Sequence, residues 1–167
     1  MAMEGKAYVV SCVGKYAFYN CKGLTSISIP HSVNRIGESA FSGCSGLISV
    51  HISDLAGWCN IVFEDDVNDQ YFCLSNPLSA AHHLYINGEE VMDLNIPNSV
   101  TFISDNAFMG CSSFISVNIP NSVTTIGSFA FYGCSGLTSV TIPNNVTYIG
   151  EDVFSNCISL TSVRISN

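Results

Sequence analysis

The chain has 167 residues and a formal net charge of −8, and only 11% of its residues are charged. This length fits a single domain, and the charged fraction is well below the roughly 25% that is typical of soluble proteins. The negative balance argues against nucleic acid as a partner, because phosphate binding depends on Lys and Arg. No apolar run approaches the roughly 20 residues of a membrane-spanning helix, and no signal peptide is visible near Met1.

A 23-residue unit recurs along the chain, and this repeat is the main organising feature of the sequence. Four full copies can be aligned without gaps at 24–46, 91–113, 114–136 and 137–159. A fixed period of this length is typical of solenoid proteins, in which each coil packs only against its neighbours. The sequence therefore predicts a repeat solenoid.

Each unit encodes a short series of elements, illustrated by the last full copy, LTSVTIPNNVTYIGEDVFSNCIS. Apolar residues alternate through 137–142, which predicts a strand with one buried face. Pro143 ends that strand because it cannot donate a ladder hydrogen bond. A second extended segment follows at 146–149, and we expect Gly150 to bend the chain. The remaining segment, 153–157, is too short for a long helix and is interpreted as one helical or 3₁₀ turn.

One Phe and one Cys recur at fixed positions of the unit. We expect the Phe side chains to stack as an internal ladder, and the Cys side chains to be buried and reduced thiols that pack as small hydrophobes. The Phe residues are Phe18, Phe41, Phe108, Phe131 and Phe154, and the Cys residues are Cys21, Cys44, Cys111, Cys134 and Cys157.

The spacing Leu-Thr-Ser-Val-x-Ile-Pro-x-x-Val-x-x-Ile-Gly-x-x-x-Phe-x-x-Cys at 137–157 resembles the BspA-type leucine-rich repeat family. The resemblance implies a right-handed, curved solenoid with a parallel β-sheet on one face and short strands or helical turns on the other. It also implies a non-enzymatic role in adhesion or protein binding, in a surface or secreted protein of bacteria or protists. Because no signal peptide is visible, a cytoplasmic location stays open.

The chain is expected to form one leucine-rich repeat domain, 1–167, that contains both regular and irregular units. The predicted divisions are a degenerate repeat or cap at 1–23, a repeat at 24–46, an irregular repeat with an insertion and hairpin at 47–90, repeats at 91–113, 114–136 and 137–159, and a partial repeat at 160–167.

The irregular unit carries most of the unusual residues. It contains the single Trp of the chain, Trp58, and an Asn87-Gly88 pair that predicts a β-hairpin. The segment 54–93 holds eight of the 13 acidic residues, and no Lys or Arg occurs between 36 and 163. We expect this insertion to keep the solenoid in phase.

No combination of residues in the sequence fits a catalytic or metal centre well. Cys59, Cys73, His82 and His83 are suitable zinc ligands, but they lack the short paired spacing of structural zinc sites. The acidic run 64–69 offers oxygen ligands for calcium but lacks the order of a calcium-binding loop, and we leave open whether it binds a cation. None of the four His residues is spaced to activate a Cys nucleophile. We therefore predict no enzyme activity and no cofactor.

We predict a protein ligand, which could be a host or matrix protein, and recognition by the insertion together with outward aromatic residues. An alternative is a structural unit that self-assembles by stacking through the ends of the solenoid. The candidate partner-binding residues are Trp58, Glu64, Asp65, Asp66, Asp69, Tyr71, Phe72, Tyr85, Phe102, Phe129 and Tyr148.

Overall fold

The computed structural model describes residues 9–64 and 75–166, which form a β-solenoid of about six turns with parallel sheets and little helix. The predicted repeat solenoid is therefore confirmed. In chain order the elements are β1 Cys12–Val13, β2 Ser26–Ile29, β3 Arg35–Ile36, β4 Ser49–Ile52, α1 Leu55–Cys59, β5 Val62–Phe63, α2 Leu78–Ala81, β6 Leu84–Ile86, β7 Glu89–Glu90, β8 Asp93–Asn95, β9 Phe102–Ile103, β10 Ser116–Asn118, β11 Thr125–Ile126, β12 Ser139–Ile142, β13 Tyr148–Ile149 and β14 Ser162–Ile165.

The first strands of the coils lie side by side as two parallel sheets. One has the order β14-β12-β10-β8, and the other has β2-β4-β6 with β7 added at its edge. In the first sheet Asp93 pairs with Ser116, which pairs with Ser139, so each step between strands equals one sequence repeat. Equivalent positions of the unit are therefore neighbours, and the alternating apolar residues of each strand form one continuous buried face.

The second strands of the coils form two further parallel sheets, ordered β1-β3-β5 and β13-β11-β9. They have only two residues per strand, one facing inward and the other outward in most coils. In the second of these sheets Phe102 pairs with Thr125, which pairs with Tyr148. These outward side chains therefore form a row across the coils.

The Phe ladder is present in two parts. The rings of Phe108 and Phe131 stack at 5.3 Å, and those of Phe131 and Phe154 at 5.6 Å, with interplanar angles of 14° and 6°. Phe18 and Phe41 stack in the same way at 5.0 Å. Burial and offset stacking of such rings stabilise each pair of neighbouring coils.

The segment interpreted as a helical turn has a different local geometry. In the second coil it is a succession of β-turns, in which Ala40, Ser42 and Cys44 each donate a backbone hydrogen bond to the residue three positions earlier. Ser39 and Gly43 have positive φ angles of 53° and 73°. Residues in the left-handed region interrupt a right-handed helix, so the chain changes direction there and closes the coil.

The repeated glycine after the second strand is required by close approach and not by a bend. A Cβ atom at Gly127 would lie 2.5 Å from the backbone N of Asp105 in the preceding coil, and one at Gly37 would lie 2.5 Å from the N of Lys15. A Cβ atom at Gly14, by contrast, would meet no described atom within 4 Å. Ser104 takes this position in the coil after the insertion, where the backbone neighbour is Cys59, whose carbonyl accepts from the Ser104 N–H.

The insertion interrupts both pairs of sheets among the described residues. The predicted hairpin is present, since β6 and β7 pair antiparallel through Tyr85 and Glu90. β6 joins β4 with Val50 opposite Leu84, so the step between these two strands is longer than one sequence repeat. β8 pairs with β10 but not with β7, so the ladder of first strands does not continue across the insertion. Backbone hydrogen bonds from Ser104 to Cys59 and from Ser112 to His82 still join the coils on its two sides.

We expect Phe131→Ala to lower the free energy of unfolding by about 3–5 kcal/mol, because the ring is fully buried between two other rings. Denaturant unfolding followed by circular dichroism measures the change. Phe102→Ala, which truncates a side chain that is 43% exposed, is the control and should cost much less. Equal losses for the two variants would contradict a core role for the ladder.

Gly127→Ala and Gly14→Ala change the same position of the unit in two different surroundings. We expect Gly127→Ala to destabilise the fold by about 1–3 kcal/mol, because the new methyl group overlaps the backbone of the preceding coil. Gly14→Ala should have little effect, since its added methyl group meets no described atom within 4 Å. Thermal unfolding of both variants compares them, and an equally stable Gly127→Ala variant would exclude close approach as the reason for glycine.

Candidate partner-binding surface

Trp58 lies in the core at the insertion, which corrects the expectation that it contacts a partner. Its side chain is 1% exposed, and its indole Nε1 donates a hydrogen bond of 2.8 Å to the carbonyl of Ala107. The amide of Asn76, also buried, donates to the carbonyl of Asn106 at 2.7 Å. The Asn76 amide also donates to the Ala107 carbonyl at 3.2 Å, and in a regular pair of coils a backbone N–H bonds to the equivalent carbonyl, as when Phe108 donates to Ala130. Side chains of the insertion therefore replace one backbone donor of the ladder.

Glu64 is the one member of the acidic run within the described residues. It forms an ion pair with Arg35 across the neighbouring strands β3 and β5, and the side chains are 32% and 57% exposed, respectively. A pair this accessible contributes little to stability, but it partly neutralises the carboxylate that a partner would meet. The remaining candidates of the insertion, Asp65, Asp66, Asp69, Tyr71 and Phe72, lie outside the described residues.

Tyr85 lies on the outer side of the sheet that contains β2, β4 and β6, at the hairpin. Its ring stacks on that of His51 in the neighbouring strand at 4.8 Å, and its hydroxyl donates to Glu90 at 3.4 Å. His83 Nδ1 lies 2.6 Å from the other carboxylate oxygen of Glu90. The structure thus brings together aromatic, imidazole and carboxylate groups that the repeat pattern did not indicate as a set, because the two strands that carry the rings are not one repeat apart.

The other predicted aromatic residues lie on the opposite side of the coil. Phe102 and Tyr148 are 43% and 56% exposed, and both project from the second sheet, separated by Thr125. Phe129 is half-buried and packs edge-to-face against Tyr132 at 5.8 Å. The candidate residues therefore form two separate surfaces. One is the hairpin side with Tyr85, and the other is the sheet β13-β11-β9 with Phe102 and Tyr148.

The Cys ladder is buried in four of its five members. The thiols of Cys44, Cys134 and Cys157 each donate to the carbonyl of a Phe in the preceding coil, at 3.0, 3.3 and 3.2 Å. Burial raises the pKa of Cys111 to about 12, so this thiol stays protonated at neutral pH. Cys21 is exposed, contrary to the expectation, because it lies in the first described coil and no described coil covers its outer side.

The described residues offer no metal site of three or more ligands from His, Cys, Asp and Glu. Of the residues weighed above as zinc ligands, Cys59 is buried, and burial raises its pKa to about 12. His82 Nδ1 lies 2.9 Å from the carbonyl oxygen of Gly110. Cys73 and most of the acidic run lie outside the described residues. None of the described helices is long and apolar enough to cross a membrane.

Comparison with known families gives a match over nearly the whole chain. A model of the BspA type leucine rich repeat region matches six copies, over residues 11–83 and 81–167. A search of curated proteins finds no significant match.

Two bacterial crystal structures resemble the fold. A leucine rich cell surface protein from Faecalibacterium prausnitzii is 33% identical over 99% of this chain, with a TM-score of 0.56. A leucine-rich repeat protein from Bacteroides ovatus is 26% identical over 92% of this chain, with a TM-score of 0.51. The chain covers 45% and 34% of those two proteins, so it spans less than half the length of each.

We expect a small alkylating reagent, applied to the native protein near pH 8, to leave Cys44, Cys59, Cys111, Cys134 and Cys157 unlabelled, because burial excludes the reagent and raises their pKa values. Cys12 and Cys21 are exposed and should react. Peptide mapping by mass spectrometry identifies the labelled sites, and labelling after denaturation serves as the control. Rapid native labelling of several buried thiols would contradict their position in the core.

Proposed function

Because the chain belongs to the BspA-type leucine-rich repeat family, we propose that it is a non-enzymatic protein-binding or adhesion module of a surface or secreted protein. The observation that carries the proposal is the exposure of large side chains at fixed positions on short paired strands. Phe102 and Tyr148 are exposed on rungs of one sheet, held in place by backbone pairing and not by a loop. Aromatic groups held in this way bind partners with little loss of conformational entropy.

A surface location is supported by the resemblance to the cell surface protein of F. prausnitzii. The partner is proposed to be a protein, and the insertion is proposed as a second region for its recognition. The segment 54–93 contains eight of the 13 acidic residues, with Lys and Arg absent from 36 to 163. An acidic surface beside aromatic residues suits a basic partner, because charge steers the encounter and aromatic contact retains it.

Self-assembly is a second candidate function, supported by the last strand. All four residues of β14 are exposed, including Val163 at 51% and Ile165 at 66%. Its outer edge has no neighbouring strand among the described residues, and such an edge can pair with another chain. Light scattering over a range of concentrations measures this association. A monomer at all concentrations would exclude stacking of copies under those conditions.

The binding function is tested by screening the immobilised protein against purified extracellular-matrix and serum proteins. We expect saturable binding of at least one basic protein, with an affinity that falls as salt rises. The variant E64Q/D65N should weaken that binding by about two- to fivefold, since single surface charges contribute modestly. Two adjacent acids outside the insertion provide a charge-matched control, E151Q/D152N, which should weaken binding less than E64Q/D65N does. Failure to bind any of these proteins would contradict the proposed function, and equal effects of the two variants would remove Glu64 and Asp65 from the binding surface.

A further inference from the structure

A cleft separates the hairpin from the sheet that follows it. Its volume is about 610 Å³, and it is lined by β7, by β8 and by the residues between them, with Leu55 and Ile86 at its sides. We call this space the junction cleft. It exists because only Val91 and Met92 lie between β7 and β8, and β8 pairs with β10, leaving the hairpin on the other sheet.

Two strand edges border the junction cleft. Among the described residues β7 pairs with β6 alone, and β8 pairs with β10 alone. The other edge of each strand therefore presents backbone N–H and C=O groups that no described strand uses. The carbonyl of Asp93 in β8 accepts a hydrogen bond from the Asn95 side-chain amide at 3.2 Å. Such edges are templates for an added strand, and an extended peptide can bind by completing the ladder.

The side chains of the cleft indicate which peptide would fit. Glu89 and Asp93 are exposed carboxylates on the two bordering strands, while Leu94 is buried below them and Met92 is 48% exposed. The cleft therefore combines negative charge with an apolar contact.

Neither carboxylate forms an ion pair with a basic side chain among the described residues. No Lys or Arg between 36 and 163 is present to neutralise them. Asp93 accepts a hydrogen bond from the hydroxyl of Ser116, which is a neutral group. The neighbouring Glu90 differs, because it is already engaged by His83 and Tyr85. Glu89 and Asp93 thus provide the uncompensated negative charge of the cleft.

We propose that the junction cleft binds an extended basic peptide segment of a partner protein, added as a β-strand along the free edge of β8. Alternating residues of an added strand point to opposite sides. One set of side chains would place Lys or Arg beside Glu89 and Asp93, and the other set would pack apolar groups on Met92. Backbone pairing with β8 supplies affinity, and the carboxylates select for positive charge. This inference rests on the proposed protein-binding function and assigns a place and a chemistry to it.

The test uses a synthetic peptide of about seven residues, a common strand length, with alternating Lys and Val. Fluorescence anisotropy of the labelled peptide measures its binding to the intact protein. We expect E89Q/D93N to weaken binding by about fivefold, because two exposed charge contacts are lost. The control E151Q/D152N removes the same number of charges elsewhere and should leave the affinity unchanged.

Two further peptides separate strand addition from charge attraction. A peptide with Glu in place of Lys should not bind. A Lys and Val peptide with alternate backbone amides methylated keeps its charge but loses donors, and it should bind at least about fivefold more weakly.

Failure of the Lys and Val peptide to bind, equal loss in the two protein variants, or full affinity of the methylated peptide would each overturn the proposal. A matrix or serum protein that still binds E89Q/D93N normally would leave the protein-binding function intact and exclude this cleft from it.

Discussion

The close approach of successive coils is the constraint on which the rest of the structure depends. In the turn segment, Asn106, Phe108 and Gly110 each donate a backbone hydrogen bond to the next coil, at 2.9, 2.8 and 2.7 Å. These bonds and the strand ladders have the same period in the regular coils, so every rung there joins equivalent positions of the repeat. The glycine at positions such as Gly127 allows this approach, because any Cβ there would overlap the preceding backbone.

Many polar side chains of the regular coils form hydrogen bonds to a neighbouring coil. Thr124 Oγ1 donates to the carbonyl of Thr101, and Thr147 Oγ1 donates to that of Thr124, each at 3.2 Å. Even the thiol of Cys134 is used in this way, by donating to the carbonyl of Phe108. A surface whose polar side chains already bond to neighbouring coils has little capacity left for specific recognition. The uncharged polar residues of the repeats therefore serve the packing of coils, and charged groups suited to recognition are concentrated in the irregular unit.

At the insertion side chains replace part of the backbone ladder. Trp58 and Asn76 both donate to the carbonyl of Ala107 in the following coil, where a regular coil would provide a backbone N–H group. The junction therefore keeps the stack of turns joined while the strand sheets separate. The separation leaves the hairpin and β8 on either side of the junction cleft. The buried Trp and the open strand edges therefore both belong to the same irregular junction.

The sequence determined the solenoid by itself, because a gap-free period places equivalent apolar residues on adjacent rungs whatever the details of each turn. It also indicated the hairpin, through Asn87 and Gly88, since that turn is a local property of the chain. Only the tertiary structure decided that Trp58 is buried, that Cys21 is exposed, and that Tyr85 stacks on His51. Those outcomes depend on which coil lies beside each residue. Around the insertion the step between neighbouring strands is longer than the repeat. Contacts there cannot be predicted by matching equivalent positions of the 23-residue unit, because those positions are not neighbours.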